Sequence, residues 1–191
     1  MTVNVTEQTL SLLNDTLYPG NTPAVRVGGV TQMVFDPVLN RFFVEGVYSN
    51  SLASINATSN APIGGFTPGP YPQGFAVNPT SDLVYVADSG SDNVSVVNGS
   101  TDQVVTQIPV GGTPSGIALD PSNNRLFVSD YSTHSLSVIN LTTDNVTANL
   151  STGSGPNGVL YLPSNNEVYV ANYFSANLSV YNATSLTNLS S

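Results

Sequence analysis

Gly116-Ile117-Ala118-Leu119-Asp120, Leu126-Phe127-Val128-Ser129-Asp130, Ser135-Leu136-Ser137-Val138-Ile139-Asn140 and Val146-Thr147-Ala148-Asn149-Leu150 follow one another with only short polar breaks between them. Each run is rich in aliphatic and β-branched residues, and its apolar positions recur at period two. Pro121 with Asn123-Asn124, a polar loop and Gly153 bound the runs, which is how short strands are punctuated. No helix-length 3.6 period appears between residues 22 and 191. Only Thr6 to Leu13 has the look of a helix, and its alignment with later third strands assigns it to β instead.

The same unit is written again on either side. Asn56, Asn98, Asn140 and Asn182 are 42 residues apart, and the step also carries Pro37 to Pro79, Pro121 and Pro163. Gly74, Gly116 and Gly158 fall in register, as do Val44, Val86, Val128 and Val170. One four-stranded sheet has two faces to cover, and stacking repeats of it around an axis covers both. Four strands every forty-odd residues therefore predict an all-β protein, a β-propeller of four-stranded antiparallel blades. First strands are expected near 32–36, 74–78, 116–120 and 158–162. Second strands are expected near 42–46, 84–88, 126–130 and 168–172, and third strands near 52–56, 94–98, 136–140 and 178–182. Phe43, Tyr85, Phe127 and Tyr169 share one slot and are expected to be wedged between neighbouring blades.

The whole of 1–191 reads as propeller. Residues 1–28 supply the last two strands of a preceding blade, near Leu10–Asn14 and Ala24–Val27. Blades then occupy 29–70, 71–112, 113–154 and 155–191, the last without its outer strand. A seven-bladed ring of such units needs about 290 residues, so these 191 are not expected to close one alone. The N-terminal pair could complete a small ring, two copies could cover each other, or further sequence could supply the missing blades. The reading favours the last.

Leu83-Val84-Tyr85-Val86-Ala87-Asp88, followed by Asn93-Val94-Ser95-Val96-Val97-Asn98, closely resembles the YVTN-type β-propeller repeat. Glu167-Val168-Tyr169-Val170-Ala171-Asn172 nearly spells the naming tetrapeptide, and the Pro72–Ala76 and Pro114–Ala118 openings fit as well. The first full copy departs most, with Val30 for Pro, Gln32 for Gly and Glu45-Gly46 for Ala-Asp. The resemblance implies a propeller of the kind found in archaeal and bacterial surface-layer and secreted proteins. The wider propeller set also holds lactonases and lyases, so the fold does not decide the function.

Composition narrows the field. Three basic residues (Arg26, Arg41, Arg125), no lysine and a net charge of -9 leave no basic stripe for nucleic acid or for anionic lipid. No apolar run approaches the roughly 20 residues of a membrane span. Without Cys there is no thiolate chemistry. His134, the single histidine, sits near Asp130, Ser129 and Ser132, but its repeat equivalents are Asn50, Asp92 and Ala176. A variable polar loop is therefore the better reading than a nucleophile–base pair. Asp88-Ser89-Gly90-Ser91-Asp92-Asn93 is oxygen-rich but lacks the later Glu of a calcium loop, and it reads as a turn. Arg41 and Arg125 share a slot and read as a solvated edge. No catalytic residue, cofactor or metal is expected.

Eleven Asn-x-Ser/Thr acceptors occur, where 22 Asn and 43 Ser plus Thr would give about five by chance. Asn56, Asn98, Asn140 and Asn182 form the periodic set; Asn93, Asn145 and Asn177 are further glycosylation candidates, beside Asn4, Asn14, Asn149 and Asn188. Asn after a third strand also makes an Asx-turn, so the periodic set has a structural reading too. Together these features predict a non-catalytic, extracellular or cell-surface module serving as spacer, adhesin or interaction surface. Its partners would be other surface proteins, glycans or further blades of a longer chain. The alternative is a lactonase- or lyase-like enzyme or small-ligand binder with its site in the central funnel.

Overall fold

The structure is a computed structural model that describes residues 2–6, 9–13, 24–27, 32–46 and 50–190. From residue 33 onward it is a succession of antiparallel sheets. Strands β4 (Met33–Asp36), β5 (Arg41–Gly46), β6 (Ser51–Asn56) and β7 (Pro62–Phe66) make sheet 1. Sheet 2 holds β8 (Pro72–Asn78), β9 (Leu83–Asp88), β10 (Asn93–Asn98) and β11 (Gln103–Pro109). Sheet 3 holds β12 (Pro114–Asp120), β13 (Arg125–Asp130), β14 (Ser135–Asn140) and β15 (Asn145–Ser151). Sheet 4 has three strands, β16 (Pro156–Leu162), β17 (Glu167–Asn172) and β18 (Asn177–Asn182). Beyond β18 the chain folds back far enough for Leu189 N–H to donate to the Val180 carbonyl at 2.7 Å.

The expected strands are present, with two local differences. First strands start at Pro72, Pro114 and Pro156, two residues early, because each opens with a bulge before it falls into register with its neighbour. A proline that cannot donate to the ladder is tolerated at such a strand start. The second difference is at the N-terminus. Strands β2 (Thr9–Leu13) and β3 (Ala24–Val27) appear, but an unanticipated β1 (Thr2–Thr6) lies between them, antiparallel to β2 and parallel to β3. The strands near Leu10–Asn14 and Ala24–Val27 are thus not side by side, as third and fourth strands of one blade would be. Asn14 itself lies outside the described residues.

Core formation follows the period-two alternation. In each sheet one set of side chains faces the preceding sheet and the other faces the following one. Phe43, Leu52 and Phe66 of sheet 1 meet Phe75, Val84, Val86 and Val97 of sheet 2. Tyr85, Val94, Val96 and Ile108 of sheet 2 meet Leu126, Val128 and Ile139 of sheet 3. Phe127, Leu136 and Val138 of sheet 3 meet Val168, Val170 and Tyr181 of sheet 4. Phe43, Tyr85 and Phe127 are buried as expected, whereas Tyr169 is only half-buried, since no described sheet follows the one it belongs to.

Two further devices lock the stack. The first strands approach backbone to backbone: a Cβ on Gly74 would lie 2.1 Å from the Ser115 carbonyl oxygen, and one on Gly116 equally close to that of Asn157. Only glycine fits there. The arginines correct the solvated-edge expectation. Arg41 Nη1 donates to the Gly99 carbonyl at 2.5 Å and lies 3.7 Å from Asp102 of sheet 2. Arg125 Nη1 donates to the Ala183 and Thr184 carbonyls at 2.6 and 3.0 Å, beyond the last strand of sheet 4. The planar fork reaches carbonyls of the neighbouring sheet's turn, which a strand-edge position in sequence does not reveal.

Candidate interaction face

Connections between first and second strands and between third and fourth strands gather at one end of the sheets. Connections from second to third strands, and from one sheet to the next, gather at the other. Left-handed backbone recurs at fixed places in both groups: Asn40, Asp82, Asn124 and Asn166 at one turn, and Asn60, Asp102, Asp144 and Leu186 at another. At the opposite end it recurs at Asn50, Asp92, His134 and Ala176, then at Tyr71, Thr113 and Gly155. Asn and Asp dominate because they tolerate this conformation best among residues with a Cβ.

His134 acquires a plain role from this geometry. Its Nδ1 accepts from Gly155 N–H at 3.1 Å. In the same slot Asn50 Oδ1 accepts from Tyr71 N–H at 2.8 Å, and Asp92 Oδ1 accepts from Thr113 N–H at 2.7 Å. Three chemically different side chains share one acceptor position, 21 residues before the donor in every case. Ser129, placed near His134 on paper, instead donates to the Asn157 carbonyl at 2.8 Å, deep between sheets 3 and 4. Asp130 is buried under Gly111 and accepts from Ser137 Oγ at 2.7 Å. These residues are not convergent on a common reacting point.

Asp88 and Asp92 of the oxygen-rich loop also part company. Asp88 is buried and accepts from Ser95 Oγ at 2.6 Å, while Asp92 is exposed and holds Thr113. Burial pushes the Asp88 and Asp130 carboxyls up to about 6, since removing water penalises the charged form; the serine hydroxyls only partly offset it. Asn172 occupies the same slot in sheet 4, and its Nδ2 donates to Ser179 Oγ and Asn177 Oδ1, each at 2.9 Å.

What this loop end exposes is aromatic. Tyr173 is 72 % exposed. Its ring lies 5.2 Å from that of Phe174, which lies 5.7 Å from Tyr131. Phe174 rests on the backbone of Gly155, where any Cβ would strike its ring at 2.7 Å. Tyr71 rests on Gly90 in the same manner. Hydroxyls of the same loops bond to the backbone and to one another, Ser89 Oγ donating to the Tyr71 carbonyl at 2.8 Å and Thr113 Oγ1 to Ser132 Oγ at 3.2 Å. Nothing in the loop sequences flagged this cluster, because Tyr131 and Phe174 are 43 residues apart and meet only across the seam between sheets 3 and 4.

The periodic acceptor asparagines lie at the other end. Asn56, Asn98, Asn140 and Asn182 each accept on Oδ1 from two backbone N–H groups of the following turn. Thr58, Thr142 and Thr184, the hydroxyl residues of three of these sequons, accept from the Nδ2 of Asn40, Asn124 and Asn166. The Asn-x-Thr spacing thus has a turn-building reason. Among the aperiodic candidates, Asn145 is exposed and donates to the Thr143 carbonyl, Asn177 accepts from Asn172, and Asn93 is half-buried with its Oδ1 enclosed.

Comparison with known proteins agrees with this architecture. Residues 112–139 match the NHL repeat, a β-propeller repeat. No curated protein matches the chain. Among solved structures, Kuenenia stuttgartiensis hydrazine synthase is similar with a TM-score of 0.78 at 22% identity, over 94% of this chain and 52% of that one. U3-55K gives a TM-score of 0.75 at 13% identity, and the WD40 repeats of RRP9 give 0.74 at 14%. Each of those two comparisons covers 84% of this chain and 50% of the other. The fold is therefore of the propeller-repeat kind, and the chain spans about half the length of the structures it matches. The repeat matched is NHL, not the YVTN type that the sequence resembles.

Proposed function

We propose that the chain is a non-catalytic β-propeller interaction module, built of 42-residue blades of the YVTN type and carried on a secreted or cell-surface protein. The observation that carries this reading is the contiguous Tyr131–Phe174–Tyr173 cluster on the loop end, three rings held open by a rigid stack. Exposed aromatic side chains with adaptable hydroxyls around them are what binding surfaces use, because rings supply contact area at little conformational cost. The WD40-like neighbours support a protein partner over a small molecule. The surface location rests on low charge, on the acceptor asparagines and on the YVTN resemblance. At Asn56, Asn98, Asn140 and Asn182 the turn engages Oδ1, and no hydrogen bond from Nδ2, the atom a glycan would take, is present among the described residues.

The test is binding of the immobilised chain to protein solubilised from the surface of its source cells, compared with a Tyr173→Ala/Phe174→Ala variant. Loss of the retained partner in the variant is expected, with the strand circular dichroism unchanged. Equal retention by both would remove the loop end as the contact surface. Lactone or ester turnover above the buffer rate would instead favour an enzyme.

A further inference from the structure

Sheets 2 and 3 each have a neighbour on both sides, and the seam between them carries a cleft of about 370 Å³. Its walls are Val110 and Gly111 of the connection between the two sheets, Thr133 and Ser135 at the head of β14, and Val146 and Asn149 of β15. That volume lies near the low end of small-molecule sites. Two exchanges between repeats account for the opening. In sheet 2, Gln107 Nε2 donates to Ser95 Oγ at 3.2 Å and reaches the Pro68 carbonyl at 3.5 Å, so this side chain spans from β11 to the connection that leads into the sheet. Asn149 stands in the same slot of sheet 3 and is one methylene shorter. Its carboxamide keeps the first contact, 3.0 Å from Ser137 Oγ. Among the described residues it makes no hydrogen bond to Val110, which stands in the Pro68 slot. The second exchange is of Asn93, whose Oδ1 is enclosed in sheet 2, for the smaller Ser135. Sheet 3 thus leaves open what sheet 2 fills.

The walls have a defined chemistry. Thr133 Oγ1 and Ser135 Oγ lie 2.9 Å apart, and Ser135 Oγ donates to Asp130 Oδ2 at 3.2 Å. Asp130 has no exposed surface, and none of the lining residues is ionisable. Each hydroxyl can both donate and accept. The end of the Asn149 carboxamide that does not meet Ser137 has no partner among the described residues. Val110 and Val146, both half-buried, supply the apolar part of the wall. A matching ligand carries no charge, offers several groups that donate and accept, and has an apolar face of its own, because polar groups enclosed without partners weaken binding.

We propose that this cleft binds a sugar residue, with Thr133, Ser135 and Asn149 engaging the ring hydroxyls and Val110 and Val146 meeting a C–H face. A pyranose has both features, hydroxyls round its rim and C–H groups on its faces. The site is separate from the Tyr131–Phe174–Tyr173 cluster and does not rest on it.

Amide shift mapping by NMR tests this, on chain made without Asn-linked glycans because Asn149 itself opens an Asn-x-Ser sequon. The probes are the methyl glycosides of glucose, mannose and galactose, and N-acetylglucosamine, with N-acetylglycinamide as an uncharged peptide probe. At least one sugar is expected to shift the Gly111, Thr133, Ser135 and Asn149 amides saturably. Ser135→Asn/Asn149→Gln writes the residues of sheet 2 into sheet 3 and should abolish those shifts, with the strand circular dichroism unchanged. The reverse exchange, Asn93→Ser/Gln107→Asn, should open the matching cleft and add saturable shifts at Gly69 and Ser91. Cleft amides that ignore every sugar would overturn the proposal, as would shifts that survive Ser135→Asn/Asn149→Gln or a folded reverse variant that gains none. Stronger shifts of the same amides by N-acetylglycinamide would overturn it in favour of a peptide ligand, and shifts confined to Tyr131 and Phe174 would place sugar binding at the loop end instead.

Discussion

Phe127 sits with no exposed surface between Leu136 and Val138 of its own sheet and Val168 and Val170 of the next. Phe127→Ala should therefore cost about 3–5 kcal/mol in denaturant unfolding, the range for large core truncations. A cost below about 1 kcal/mol would mean the slot is not enclosed. Asp88 and Asp130 give a second expectation, on pH. Their folded carboxyls titrate near 6, above the ordinary value of 3.8, so the folded state holds protons that the unfolded chain releases. Their contribution is fully present below the unfolded value and is lost as pH rises through about 6. Thermal unfolding should move to higher temperature between pH 7.5 and pH 5, and Asp88→Asn/Asp130→Asn should flatten that rise. Asn172, already an amide in this slot, indicates that the exchange fits. A midpoint that falls on acidification would contradict the assignment. The aromatic slot was legible in the sequence because its four members stand at one fixed step. The work of His134 was not, because only an acceptor atom unites it with Asn50 and Asp92, and the donor is a backbone group in a distant loop.

Strands were the most legible elements, since period-two runs between Asn, Asp, Gly and Pro leave few alternatives. What the sequence concealed were contacts made between elements. Arg125 heads a strand and reads as an edge residue, yet its guanidinium reaches over to the turn that follows β18. Arg125→Ala should cost about 1.5–3 kcal/mol, as expected for hydrogen bonds from a charged donor. Hydrogen exchange should localise the effect, with the Leu186 N–H, which donates to the Asn182 carbonyl in that turn, losing protection first. If only the β13 amides respond, the arginine serves its own sheet. Likewise Val3 and Val5 have strand propensity, but parallel pairing of β1 with β3 is a long-range choice that no local pattern encodes.

For the molecule as a whole, the fixed spacing identified stacked sheets, and the stacking explains why second strands are apolar on both faces. The exposed aromatic cluster was far less legible. It arises where residues of two successive repeats meet, so a reading of one repeat at a time misses it. The central claim is that one four-stranded unit recurs and stacks through its second and third strands. Amide hydrogen exchange followed by mass spectrometry tests it most directly. Slow exchange is expected in 84–88, 94–97, 126–130 and 136–139, with fast exchange in the turns at Asn98–Gln103 and Asn140–Asn145, so that protection rises and falls in step with the sheets. Protection that runs unbroken through those turns, or that is absent from Leu126–Asp130 and Leu136–Ile139, would contradict the account.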